Sequence, residues 1–353
     1  MNYAIGRRSR KEKIVLISLS VFVPLFFCLC LFLGVSQLPF REAFLALMGR
    51  GEATATRILW QIRMPRVLAA LLSGAGLSVS GLMMQTVLNN PMASPSTLGV
   101  SNAAVFGANL SIIGLAGGFL SSGHNLQNLT TDINLYATSV TAFLFSVLSV
   151  CLILGLCRLR SFSPNTVVLA GIAVGSIWTA ATTILQFFAT DVGLSAAVVW
   201  SFGDLGRATY ESDGILFVVI AVSLLLFRLF AHAYNALLSS ETTAAAMGVP
   251  VRVLRFCTLL LASIVTAVCV SFLGIIGFVG IICPHVVKRL LGQNHRVTIP
   301  ASALCGSLLL LFSDLLSRTL GGGAALPVGA ITSLLGAPFF VAILLGRKER
   351  EAC

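Results

Sequence analysis

The chain has 353 residues, of which 57% are hydrophobic and 10% charged, with a mean hydropathy of +0.97 and a formal net charge of +11. A soluble domain carries about 25% charged residues, and a disordered one combines low hydrophobicity with high charge, so both classes are excluded. At roughly 20 apolar residues per crossing, the length allows about ten membrane spans.

Taken in chain order, Arg7, Arg8, Arg10, Lys11 and Lys13 precede an apolar run over 14–34. That run is too long for a signal-peptide core and no small-x-small cleavage site follows, so it is expected to remain as the first span. Further runs predict helices near 64–84, 96–119, 136–156, 165–188, 213–231, 254–273, 276–291, 299–318 and 328–346. In the second of these, Gly74, Gly76 and Gly81 allow a close helix approach. Asn90-Pro91 marks a turn, and Ser94 with Pro95 reads as an N-cap and first helical position for the third. The Gly274 to Gly280 stretch reads as a tight turn into 276–291. That run is short and contains Pro284, so it is expected to start beside a packed neighbour or a cavity. The prediction is an all-α polytopic membrane protein, a single transmembrane domain over 1–353 with short tails at about 1–13 and 347–353.

Ten spans put both termini on one side. That side collects 16 of the 23 Lys and Arg, and is therefore cytoplasmic by the positive-inside rule. The other seven oppose the bias: Arg41, Arg50, Arg57, Arg63 and Arg66 crowd the first outer segment, with Arg207 and Arg318 further on. Between the sixth and seventh spans, residues 238–251 read Ala-rich behind Glu241, a short helix ended by Gly248 and Pro250.

Several chemistries are missing. No Lys is followed by Ser or Thr, so there is no phosphate loop for ATP. Zincin His pairs, GxSxG elbows and paired carboxylates within one span are absent too. The nine Cys form no CxxC pair and lie mostly in apolar runs, where they read as small hydrophobes. No catalytic residue, cofactor or metal site is expected, and His285 after Pro284 reads as structural. The basic residues form no contiguous stripe, which argues against nucleic acid. Asp314 is the only clear acid within the spans, and four residues before Arg318 it reads as half of a local helix pair.

Three stretches are more specific. They are Gln61-Ile-Arg-Met-Pro-Arg66 with Asn89-Asn-Pro-Met-Ala-Ser-Pro-Ser-Thr-Leu-Gly99, then Gly277-Phe-Val-Gly-Ile-Ile-Cys-Pro-His285, then Leu326-Pro-Val-Gly329 through Phe340. Leu169-Ala-Gly-Ile-Ala-Val-Gly175 and Met247-Gly-Val-Pro250 fit the same pattern. Over roughly 14–346, this set closely resembles the permease subunits of ABC importers for iron chelates (siderophores), haem and cobalamin, the FecCD-like type II importers.

The resemblance implies a permease with no ATPase site of its own, in a bacterial or archaeal inner membrane. It implies separate ATP-binding cassette ATPase subunits, a periplasmic or lipoprotein substrate-binding protein, and a second permease subunit, either identical or different. Arg63, Arg66 and Arg318 match the arginines on which the binding protein docks, through bidentate contacts to carboxylates. Glu241, Ala245, Met247, Gly248, Val249 and Pro250 match the coupling segment that seats on the ATPase. A ferric siderophore is the expected cargo, with haem and cobalamin as alternatives. Two departures stand out: Ala325 where relatives often carry an acid before Leu-Pro, and Ala245 where many carry Arg. An ion-coupled secondary transporter is the alternative class; it explains the hydropathy but not the ordered motifs.

Overall fold

The computed structural model describes residues 2–34, 39–115, 135–159, 162–321 and 324–351. Residues 116–119 of the third expected span, and 1, 352 and 353 of the tails, lie outside the described residues. Among the described residues the structure is helical throughout, with one isolated parallel bridge between Phe202 and Ile275.

The helices in chain order are α1 (Asn2–Phe32), α2 (Phe40–Leu47), α3 (Ala53–Val87, with a π-helical turn over Ile58–Arg63) and α4 (Val100–Leu115). They continue as α5 (Leu135–Leu159), α6 (Pro164–Phe187), α7 (Asp191–Ser201), α8 (Tyr210–Leu229) and α9 (Ala231–Leu237). The last are α10 (Glu241–Ala246), α11 (Val251–Leu273), α12 (Val279–Leu291), α13 (His295–Leu320) and α14 (Val328–Glu351). Each of the ten expected spans overlaps one of them within the described residues. Among the described residues, seven helices are long and apolar enough to cross a membrane, and α4, α7 and the Val328–Phe339 part of α14 are shorter apolar helices.

Local chemistry sets the starts. Ser163 caps α6 by accepting from the Thr166 amide at 3.2 Å, with Pro164 in the first position. Thr209 and Ser212 form a capping box at α8, and Asn294 caps α13. The third span starts later than the sequence predicts. Ser96–Leu98 forms a 3-10 turn, Gly99 takes φ +72°, and α4 begins only at Val100. The cause is packing: a Cβ on Gly99 would sit 2.8 Å from the Gly175 Cα of α6, so glycine satisfies both the left-handed turn and the close approach.

Contacts sort the chain into two compact units. The first contains residues 1–82, 204–235 and 276–353. In it, α3 lies against α13 at Gly74 and Gly306 and against α12 at Gly81 and Gly280, where an added Cβ would collide with the opposing backbone. Ser78 donates to the Ser302 carbonyl and Ser307 to the Leu71 carbonyl, each at 2.7 Å, so hydroxyls bond across the α3–α13 seam. Val15, Leu16 and Leu19 of α1 pack on Val287, Leu291 and Ala301. The outer face of α1 shows Ile14, Ile17, Val21 and Leu25 at 57–63% exposure, a stripe suited to lipid.

The second unit contains residues 83–203 and 236–275. Its core gathers Ala104, Ala108, Ile112, Ala142, Trp200 and Val270. Phe106, Phe145 and Trp178 join α4, α5 and α6 through ring contacts of 5.0–5.5 Å.

Candidate functional site

Two arginine-centred arrangements stand out, one in each unit. In the first unit, α1 ends at Phe32, and its last carbonyls lack helical partners. Arginine side chains supply them. Arg63 Nη1 donates to the Leu31 and Phe32 carbonyls at 2.7 and 2.9 Å. Arg318 Nη1 donates to those of Cys30 and Leu33 at 3.0 Å. Arg66 instead donates through Nε to Asp314 Oδ1 at 2.6 Å. The second oxygen of Asp314 lies 2.7 Å from Arg318 Nη2, an ion pair without hydrogen-bond alignment. Asp204, which caps the turn at Gly206, stands 4.0 Å from Arg66.

This network is enclosed. Asp314 is fully buried, and Arg63, Arg66 and Arg318 are 3%, 8% and 5% exposed. The expected local pair of Asp314 with Arg318 is present, and Asp314 also holds Arg66, which the sequence reading did not anticipate. Nearby, in the turn before α8, burial lowers the Arg207 pKa while Asp204 opposes that shift.

In the second unit, Ser240 caps α10 by accepting from the Thr243 amide at 2.9 Å, and Gly248 follows with φ +82°. The helix and its stop therefore match the sequence reading of 238–251. Glu241, Ala245, Met247, Gly248 and Pro250 are exposed and Val249 is half-buried. Met247 shows 68% of its surface, an apolar side chain held outward on a short helix. A groove of about 520 Å³ runs along Glu241, Thr242, Ala245, Val249 and Arg252. Behind it sits Arg255, which bonds Glu241, the Val87 carbonyl at 2.9 Å and the Phe162 carbonyl at 2.6 Å.

A second groove of about 490 Å³ in this unit is walled by Thr97, Gly99, Asn102, Gly171, Gly175 and Thr179. Asn102 spans it, donating to the Gly175 carbonyl at 3.2 Å and to Thr179 Oγ1 at 3.0 Å. Its lining carries no charged side chain. Among the described residues no cluster of His, Cys, Asp or Glu is arranged to hold a metal ion.

The sequence profile of the FecCD transport family matches residues 22–346. The chain belongs to that family. It is 35% identical to the hemin transport system permease protein HmuU of Yersinia pestis, over 83% of this chain and 85% of that protein. It is 33% identical to the vitamin B12 import system permease protein BtuC of Salmonella typhi, over 85% and 86%. Its structure superposes with a TM-score of 0.79 and 26% identity on an inward-facing candidate metal-chelate type ABC transporter, covering 95% of this chain and 99% of that one. This FecCD-family chain is an ABC importer permease.

Arg63, Arg66 and Arg318, the arginines that the family resemblance marks for docking, lie together in the first unit. In the chain by itself, however, their guanidinium groups turn inward, toward Asp314 and the α1 carbonyls. The exposed basic side chains of the same segment are Arg41, Arg50 and Arg57. Sequence reasoning missed Arg255 as a site residue. Its signal was a lone Arg inside an otherwise apolar run, which had been counted only toward topology.

Proposed function

We propose that this permease forms the membrane path of an importer for a ferric siderophore, with haem or cobalamin as the alternative cargo. A separate ATPase pair seats on α10, a substrate-binding protein docks on the first unit, and two permease subunits, identical or different, surround the path. The observation that carries the reading is α10 itself, capped, stopped by Gly248 and presenting Met247 outward. A short helix with an exposed apolar side chain beside a groove is the shape that a partner protein covers. The two units act as one permease domain, both termini lie in the cytoplasm of a bacterium or archaeon, and ATP hydrolysis belongs to the partner.

For docking, the Arg63, Arg66 and Arg318 end of the first unit is the proposed face. Their part is to hold the α1 terminus and the rim in place, while Arg41, Arg50 and Arg57 offer exposed charge to carboxylates of the binding protein. For the alternative cargoes, named relatives of nearly equal identity belong to hemin and vitamin B12 systems.

One experiment tests both faces. A photo-crosslinking residue is placed at Met247 or at Arg57 in the reconstituted transporter. Met247 is expected to trap the ATPase subunit and Arg57 the binding protein. Failure at Met247 rejects the coupling reading, and failure at Arg57 rejects the docking face.

A further inference from the structure

Arg255 lies in the first turns of α11, is 3% exposed, and uses each of its three guanidinium nitrogens on a different segment. Nε donates to the carbonyl of Val87, the last residue of α3. Nη1 donates to the carbonyl of Phe162, two residues before α6 begins. Nη2 binds the carboxylate of Glu241, the first residue of α10. All of these residues belong to the second unit.

We propose that Arg255 is the positioning residue that ties α10 to the ends of α3 and α6, so that displacement of α10 is passed to both helices. The inference rests on the reading of α10 as the ATPase contact, and goes beyond it by naming the link. Three features of the geometry support it. First, a guanidinium is planar and rigid, with donors in a fixed fork, so three partners bound to it keep a fixed mutual arrangement. Second, the Val87 carbonyl is one of the orphan acceptors at a helix end, and it would be left unpaired if the donor moved away. Third, the partners are of two kinds. Two are backbone groups, of buried Val87 and half-buried Phe162, and the third is a side chain that is 56% exposed at the partner-facing helix. That arrangement joins surface to frame. Lysine, with one nitrogen on a flexible stem, cannot reach all three positions.

The test uses the complete transporter in proteoliposomes, with radiolabelled ferric hydroxamate, haemin or cyanocobalamin, whichever the unaltered complex carries. ATPase co-purification, ATP hydrolysis and uptake are measured for Arg255→Lys and Glu241→Gln. Arg255→Lys is expected to retain the ATPase and hydrolyse ATP within twofold of the unaltered complex, whereas Glu241→Gln, which lies in the ATPase-facing segment, is read only as uptake per ATP hydrolysed by its own complex. Uptake per ATP is expected to fall at least tenfold for Arg255→Lys and at least threefold for Glu241→Gln, which cuts one of the three ties. A merely structural arginine would lower assembly and leave that ratio alone. An unchanged ratio in either variant overturns the inference, and where Arg255→Lys does not assemble, Glu241→Gln decides. The Met247 cross-link separates the two failures: its loss rejects α10 as the ATPase contact, whereas its presence with an unchanged ratio rejects only the role of Arg255.

Discussion

The two arginine centres use the same bonds to different ends. Each joins guanidinium chemistry to backbone carbonyls at a helix terminus and to a carboxylate close by. In the first unit the carboxylate is Asp314, fully buried on α13. In the second it is Glu241, 56% exposed on α10. Burial decides what such a pair can do. A charge enclosed with its partners has no water to turn to, so the surrounding helices are held in one arrangement. A half-exposed carboxylate exchanges protein for water at little cost, so it can be shifted by whatever binds the helix that carries it. The first centre is a frame and the second a handle.

The largest expected effect tests the frame. Asp314→Asn keeps the shape but removes the anion paired with buried Arg318 and leaves Arg66 with only the half-exposed Asp204 at 4.0 Å. Removing one partner of a buried ion network costs about 3–5 kcal/mol. A large fall in melting temperature of the detergent-purified chain is expected, with loss of much of the folded protein on expression. A melting temperature like that of the unaltered chain would mean that the network is not the frame.

A smaller effect is expected at Gly248, where the handle ends. Its φ of +82° is open to glycine and strained for a β-branched residue, at roughly 1–3 kcal/mol. An added Cβ meets nothing within 4 Å, so the strain is conformational and not steric. Gly248→Val is therefore expected to leave the permease folded and weaken ATPase co-purification, with Gly248→Asn recovering most of it because Asn tolerates the left-handed region. Equal ATPase retention by the valine variant and the unaltered chain would show that the helix stop does not set the contact.

Much of this was legible in the sequence because membrane helices report themselves through length and hydropathy. The ten spans, the α10 helix and its stop at Gly248 follow from local rules. What escaped detection depends on contacts far apart in the chain. Asp314 and Arg66 are 248 residues apart, and Arg255 and Val87 are 168 apart. No spacing rule connects them, so Asp314 was assigned only its neighbour Arg318. The same limit hid the inward turn of Arg63, whose acceptors are carbonyls of α1. Helix α7, only 11 residues long, lacks the length that marks a span. The late start of α4 escaped because Gly99 answers to Gly175 on another helix, not to Ser94 and Pro95 beside it.

The smallest expected effect completes the contrast between frame and handle. Glu241→Gln makes the same chemical change as Asp314→Asn, removing one negative charge and keeping the shape. Here the side chain is more than half in water, and an exposed ion pair contributes about 0–1 kcal/mol, less at high salt. Arg255 also keeps its two carbonyl acceptors, Val87 and Phe162, so its burial remains compensated. The melting temperature of Glu241→Gln is therefore expected to stay within about 2–4 °C of the unaltered chain, the shift that 1 kcal/mol produces in a chain of roughly 150–250 residues and an upper bound for a longer one. The measurement is a pair of thermal melts in one detergent, at low and at high salt, for both substitutions. Salt is expected to close the small gap for Glu241→Gln and to leave the large gap for Asp314→Asn, since screening reaches exposed charges and not enclosed ones. Comparable losses at the two positions would show that burial does not separate the centres, and the division into frame and handle would fall.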